Sequence, residues 1–246
     1  MPMNFFDLKN ISEKNMEIIN PISEEKILKV GEILGMKSGD RVIDFGCGYA
    51  EPLVLWAEKY GINGVGIDIR EYAIQRATKK VFQKGLASRI QIVLGNASMH
   101  EYEPHSFDFA TCIGATFIWG GFGHAIDAMK LAIKPHGKLA IGECYWNHDE
   151  FPSECLRFFS DACHEHELLY EIWNKDLELM HITRSSVDDW DSYETSNWRG
   201  LIEWIDANPE HPDHDEVIRH LHDSQDEYLR YGRKYLGWGI FILKSK

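Results

Sequence analysis

Val42-Ile43-Asp44-Phe45-Gly46-Cys47-Gly48 decides how the rest of the chain is read. A short apolar run carries one acid and passes directly into two glycines one residue apart. It is too short for a helix and lacks polar alternation, so it reads as a strand buried on both faces. The glycines let the chain turn tightly and approach a ligand with no Cβ atoms in the way. Pro52 then stands where a helix starts, and Leu53 to Tyr60 carry that helix.

The same unit recurs outward from this point. Upstream, Ser23 caps a helix running to about Leu34, with Glu24 and Glu25 in its first turn and Gly35 at its end. Downstream, Val65-Gly66-Ile67-Asp68-Ile69 is a second strand, followed by a helix from about Glu71 to Lys84. Ile90 to Leu94 and Phe107 to Ile113 are the third and fourth strands. A glycine-rich loop leads to a helix from about His124 to Ile133, and Lys134-Pro135-His136-Gly137 turns into a fifth strand, Lys138 to Gly142. Short apolar strands alternating with amphipathic helices specify a parallel sheet covered on both faces. After Glu143 the composition shifts to tryptophan, histidine and acids. Leu177 to Thr183 and Trp238 to Leu243 read as late strands, and Trp198 to Ala207 and Asp215 to Tyr235 as helices.

Composition narrows the functional classes. The chain has 246 residues and 44% apolar side chains, enough to bury a core, so it is not disordered. Its 26 basic residues against 39 acidic ones leave a net charge of −13, which argues against nucleic acid and anionic membranes and suits a cationic ligand. No apolar run reaches the roughly 20 residues that a membrane span needs. Residues 1–10 lack the basic and apolar stretches of a signal peptide, so a cytoplasmic location is expected. Five scattered cysteines with no CxxC pair suggest neither a disulfide framework nor structural zinc. Cys163-His164-Glu165-His166 and His211-Pro212-Asp213-His214-Asp215 read as solvated acidic surface, with no metal expected.

In such a sheet a ligand binds beyond the carboxyl ends of the strands. Asp68 ends the second strand, where a carboxylate accepts hydrogen bonds from a ribose. The third glycine of a dinucleotide fingerprint is replaced by Glu51, an acid at the helix end that would grip a pyrophosphate. With Asp44 nearby, a diphosphate is repelled and a nucleoside bearing a sulfonium or ammonium is favoured.

These motifs resemble those of class I S-adenosylmethionine (SAM)-dependent methyltransferases over residues 20–143. Val42 to Gly48 is similar to the family's first motif and Gly64-Val65-Gly66-Ile67-Asp68 to its ribose-binding strand. Gly95-Asn96-Ala97 is similar to the adenine turn, Phe107 to Cys112 to the fourth strand, and Ile133 to Leu139 to the loop before the fifth. Gly114-Ala115-Thr116, Gly120-Gly121-Phe122, Gly142-Glu143, Tyr145-Trp146, Trp190-Asp191-Tyr193, Ala207-Asn208-Pro209 and Gly237-Trp238-Gly239 resemble a bacterial group of methyltransferases of unassigned substrate. Two positions depart from the family pattern: Ala50 replaces a third glycine, and Asn96 stands where an acid is common.

The resemblance implies an α/β fold: a doubly wound, mostly parallel, seven-stranded Rossmann-like sheet with the last strand antiparallel and a helical cap inserted after strand five. It implies one domain over 1–246, with a helical lid segment (1–40), a SAM-binding core (41–143), cap insertions and a late strand (144–235) and a final strand (236–246). The expected cofactor contacts are Asp44, Gly46, Cys47, Gly48, Asp68, Ile69, Asn96, Ala97, Ser98, Ile113 and Gly114. The expected acceptor contacts are Thr116, Trp119, Trp146, Tyr193 and Trp198, with Glu143 and Tyr145 as acid–base candidates at the end of strand five. The expected reaction moves a methyl from SAM, leaving S-adenosylhomocysteine, to an oxygen, nitrogen or sulfur of a small molecule. Alternatives are a SAM-binding protein without transferase activity, a NAD-dependent oxidoreductase, and arsenite methylation through Cys144, Cys155 or Cys163. A monomer or homodimer is expected.

Overall fold

The computed structural model describes residues 3–157, 159 and 162–246. Its centre is one mixed sheet in the order β3-β2-β1-β4-β5-β8-β7. Strands β1 (Arg41–Phe45), β2 (Asn63–Asp68), β3 (Ile90–Leu94), β4 (Phe107–Ile113) and β5 (Ile133–Trp146) run parallel. Strand β8 (Leu236–Ser245) runs antiparallel between β5 and β7 (Leu177–Arg184).

Two features differ from the sequence expectation. An eighth strand, β6 (Cys163–His164), pairs with the end of β5. Strand β5 itself is far longer than Lys138 to Gly142, taking in residues 134–137 with a register irregularity between Phe107 and Phe109 and continuing to Trp146. The cause is β8, whose ten residues supply a continuous ladder: Glu143 pairs with Gly239, Tyr145 with Gly237 and Trp146 with Leu236. Glu143 therefore lies within the strand and not at its end.

Helices cover both faces. On one side α2 (Glu24–Leu34), α3 (Glu51–Tyr60) and α4 (Glu71–Gln83) bury Ile27, Val30, Leu34, Leu53, Trp56 and Val81 in one cluster with Val42 and Ile242. Trp56, 0% exposed, donates its indole N–H to the Ile27 carbonyl at 2.8 Å, joining α2 and α3. Ser23 caps α2 by accepting from the Lys26 amide, and Gly35 closes it at φ +79°. On the other side α5 (Phe122–Ala132) and α6 (Glu165–Asn174) pack Ile126, Met129, Leu168 and Ile172 on Ile43, Leu139 and Phe241. Each such fully buried aliphatic side chain contributes about 1.5–3 kcal/mol.

The chain after β7 forms the cap. Helix α7 (Val187–Ala207) starts eleven residues earlier than expected, because Ser186 and Asp189 form a reciprocal capping box ahead of it. Helix α8 (His214–Glu227) passes into a π-turn at Tyr228–Gly232 instead of continuing regularly to Tyr235. Leu201, Val217 and Leu221 of these helices form a small core with Leu8 and Ile11 of α1 (Phe5–Ser12). The amino-terminal helix is thereby clamped beneath the cap. Among the described residues no helix is long and apolar enough to cross a membrane.

Candidate functional site

A crevice of about 450 Å³ opens at the carboxyl ends of β1, β2, β3 and β4. Its floor holds Asp44 near the end of β1 with Gly46 and Cys47 beyond it, and Asp68 at the end of β2 with Ile69 beyond it. Asn96 and Ala97 follow β3, Ile113 ends β4 and Gly114 follows it. Gly46 (φ +74°) turns the chain so tightly that a Cβ there would sit 2.5 Å from that of Ala115. Gly48 (φ +53°) lies directly under Ile19. Ala50, in the position where the family pattern has a third glycine, adopts the same left-handed conformation (φ 56°, ψ 22°) despite its Cβ.

Two carboxylates dominate the floor. Asp68, 8% exposed, accepts the Gly48 amide at 2.9 Å on one oxygen and the Arg70 amide at 2.8 Å on the other. Both loops thus orient it, while its remaining lone pairs stay available to a ligand's hydroxyls. Asp44, 2% exposed, accepts the Thr111 hydroxyl at 2.6 Å. Burial pushes its pKa up to about 7; the Thr111 bond opposes this and the charge of Asp68 adds to it. A positive ligand arriving here would complete its ionisation. Cys47 also faces the crevice, over the space that Gly66 leaves beneath its sulfur. Burial, followed by Asp44 and Asp68, raises its thiol pKa so far that it stays neutral. Burial likewise keeps the Cys144 and Cys163 thiols protonated, the latter with a pKa of about 11.

Glu51 lines the crevice at the start of α3, as its sequence position suggests. It is not a bare charge, however. It pairs with Lys80, which also holds Glu17 at 2.6 Å, so the trio carries one net negative charge. The bias against a diphosphate therefore rests mainly on Asp44 and Asp68. Asn96 caps the turn Ala97–Met99, its side-chain oxygen accepting the amide and hydroxyl of Ser98. That oxygen is committed locally, and Ser98 stands outside the lining.

The roof comes mainly from the segment expected as a lid, although the sequence named none of its individual residues apart from Tyr193. Glu13, Ile18, Ile19 and Asn20, between α1 and α2, close over the floor. Arg70 Nη1 donates to Glu13 at 2.7 Å, Arg76 donates to the carbonyls of Lys14 and Met16, and Asn20 donates to the Ile113 carbonyl at 3.1 Å. Tyr193 of α7 completes the wall. None of these donors and acceptors is near its partner in sequence, so no local pattern announces them.

The other expected acceptor contacts and the acid–base pair do not line the crevice. The turn Thr116–Trp119 is a 3₁₀ helix, in which residues three apart share a face. Thr116 and Trp119 both point inward: Thr116 donates to Glu143, and Trp119 packs edge-on against Phe45 at 5.2 Å. The residues between them, Phe117 and Ile118, line the crevice instead, with Phe117 76% exposed. Glu143 also accepts the Cys144 amide. Tyr145 is buried against Phe241, and Trp146 stacks on Phe151 at 3.9 Å. Trp198 packs by its edge on Tyr228. Among the described residues, no group of three or more histidines, cysteines or acids gathers into a metal site.

Residues 36–205, more than half of the chain, match the family described as a methyltransferase domain. The chain is 32% identical over 241 residues to the uncharacterized protein YjhP of Escherichia coli (strain K12), covering 96% of this chain and 97% of that protein. Two crystal structures superpose on it with a TM-score of 0.92. One is a SAM-dependent methyltransferase from Thiobacillus denitrificans in complex with S-adenosylhomocysteine, 29% identical over the whole of both chains. The other, from Geobacter sulfurreducens and in the same complex, is 31% identical and covers 100% of this chain and 99% of that one. The chain belongs to the methyltransferase domain family, and with this sheet it is a class I, SAM-dependent methyltransferase.

Proposed function

We propose that the protein transfers the methyl group of SAM to a small-molecule acceptor. The observation that carries this reading is the roof: residues 13–20 and Tyr193 lie over part of the crevice and leave beside its floor a pocket of about 450 Å³, the scale of a small molecule. SAM supplies an activated methyl on a sulfonium. Asp68 is placed to accept from its ribose hydroxyls, and Asp44 to balance positive charge at the end of β1. Ile18, Ile19, Phe117 and Ile118 give the crevice an apolar wall. The acceptor's lone pair forms the new bond to carbon as the carbon–sulfur bond breaks, and any proton on the acceptor atom leaves to water. Holding two reactants in line supplies up to about 7–11 kcal/mol of barrier lowering, so no strong base is required of a reactive donor.

Calorimetric titration with S-adenosylhomocysteine tests the assignment. The wild-type chain binds it saturably, and Asp68→Ala weakens binding by about tenfold or more, the worth of a charge-assisted hydrogen bond, while the protein stays folded. Unchanged affinity in that variant overturns the placement of the donor.

A further inference from the structure

Behind Tyr193 lies a second cavity of about 320 Å³, lined mainly by α1, α7, α8 and the π-turn. It shares Lys9 and Tyr193 with the crevice, so the two spaces meet at one wall. Aromatic rings surround it: Trp190 lies 6.1 Å from Tyr228 at 27° and 6.3 Å from Tyr193 at 78°. The Tyr228 hydroxyl is turned away, donating to Asp191 at 2.7 Å, so the ring offers a face and not a donor.

The polar groups in this cavity are poorly matched to one another. Asn197, 7% exposed, donates its amide to the Tyr193 carbonyl, while its side-chain oxygen has no partner among the described residues. Glu194 and Glu227 also line the space. Burial pushes both carboxyls up to about 7, against the pull of Lys9. The remaining titratable neighbours do not restore the balance. His220 is held towards its neutral form by burial, the Tyr193 hydroxyl stays protonated, Asp223 adds negative charge, and Glu13 pairs with Arg70 and, at 3.9 Å, with Lys9 itself. One ammonium, Lys9, therefore faces two carboxylates and an acceptor oxygen.

We propose that this second cavity binds the organic ammonium head of the methyl acceptor, between the aromatic faces and the carboxylates of Glu194 and Glu227, with the rest of the molecule reaching past Tyr193 into the crevice. Calling the ligand an acceptor rests on the methyltransferase reading above. Aromatic faces attract a cation through their quadrupoles, and a desolvated site strengthens that attraction. Two carboxylates exceed what Lys9 neutralises, and the Asn197 oxygen accepts but does not donate. An anionic head would meet one cation and two repelling charges. A protonated or quaternary nitrogen has no lone pair, so the head anchors the molecule and a different atom of it is the nucleophile.

The test uses three probes of nearly equal shape: choline, uncharged 3,3-dimethyl-1-butanol and anionic 3,3-dimethylbutyrate. Each is titrated into the full chain at about pH 8, where both carboxylates are ionised, with S-adenosylhomocysteine saturating. Choline is expected to bind about tenfold or more tighter than the uncharged alcohol. Glu227→Gln and, separately, Glu194→Gln are expected to lower choline affinity by about fivefold or more while leaving S-adenosylhomocysteine affinity unchanged. The proposal is overturned by any of four results: no saturable choline binding, equal binding of choline and the alcohol, tighter binding of the butyrate, or displacement of choline by S-adenosylhomocysteine. If choline binds and S-adenosylhomocysteine does not, the methyltransferase reading fails and the ammonium site stands. The reverse result removes this inference alone.

Discussion

Arg70 Nη1 lies 2.7 Å from the Glu13 carboxylate, a contact across 57 residues that joins the end of α1 to the loop after β2. Both groups are nearly buried, and Arg70 also has its side chain 3.7 Å from Asp68. Removing one partner of such a pair leaves an uncompensated buried charge. Arg70→Ala is therefore expected to lower stability by about 3 kcal/mol in urea unfolding. It should also weaken S-adenosylhomocysteine binding by about tenfold, because the roof loses its anchor. A variant with normal affinity would show that residues 13–20 are not needed to close the crevice.

Asp44 predicts a pH dependence. Its pKa rises on folding from an ordinary 3.8 to about 7, so the folded state binds this proton more tightly than the unfolded state does. Stability accordingly falls as pH rises between those two values and levels off above the higher one. Glu194 and Glu227, raised to about 7 in the same way, add to the slope. Thermal melts of the ligand-free protein should show Tm falling from pH 5 to pH 8, and Asp44→Asn should flatten part of that fall. A Tm that climbs over this range in the wild type contradicts the assignment.

Ala50 predicts an asymmetric response. A non-glycine residue in the left-handed region costs about 1–2 kcal/mol, partly offset by the greater freedom of glycine in the unfolded chain. Ala50→Gly should leave stability unchanged or raise it by up to about 1 kcal/mol. Ala50→Val, branched at Cβ and fully enclosed, should lower it by about 2 kcal/mol or more. Chemical denaturation of the two variants side by side decides the point.

The phase of the turn after β4 gives a fourth test. Trp119 packs inward and Phe117 outward, so truncating each to alanine should have opposite consequences. Trp119→Ala should lower stability by about 3 kcal/mol, whereas Phe117→Ala should stay within about 0.5 kcal/mol of wild type. Phe117→Ala should instead weaken S-adenosylhomocysteine binding several-fold, measured by calorimetry. The opposite pattern would mean that the inward and outward faces have been exchanged.

What could be read from the sequence was whatever is set by neighbours along the chain. The strand from Arg41 to Phe45, its glycine turn and Asp68 at the end of β2 each follow from a local pattern, and they form the floor of the crevice. The length of β5 was hidden because its last residues are held by Gly237 and Gly239, nearly a hundred positions away. Thr116 and Trp119 lie off the crevice lining for a different reason: a loop facing the ligand does not specify helical phase, and the 3₁₀ turn decides which side chains face out. The roof was legible only in part. A lid over 1–40 and Tyr193 were expected, but Glu13 and Asn20 carry no local motif, and only the folded chain brings them to Arg70 and Ile113.

The carboxylate that receives the amides of both Gly48 and Arg70 makes the first two crossover loops a single mechanical part. Anyone grafting a different nucleotide preference onto this scaffold would have to transplant both loops together. Exchanging either one alone would leave the retained loop aligned to an oxygen that had moved.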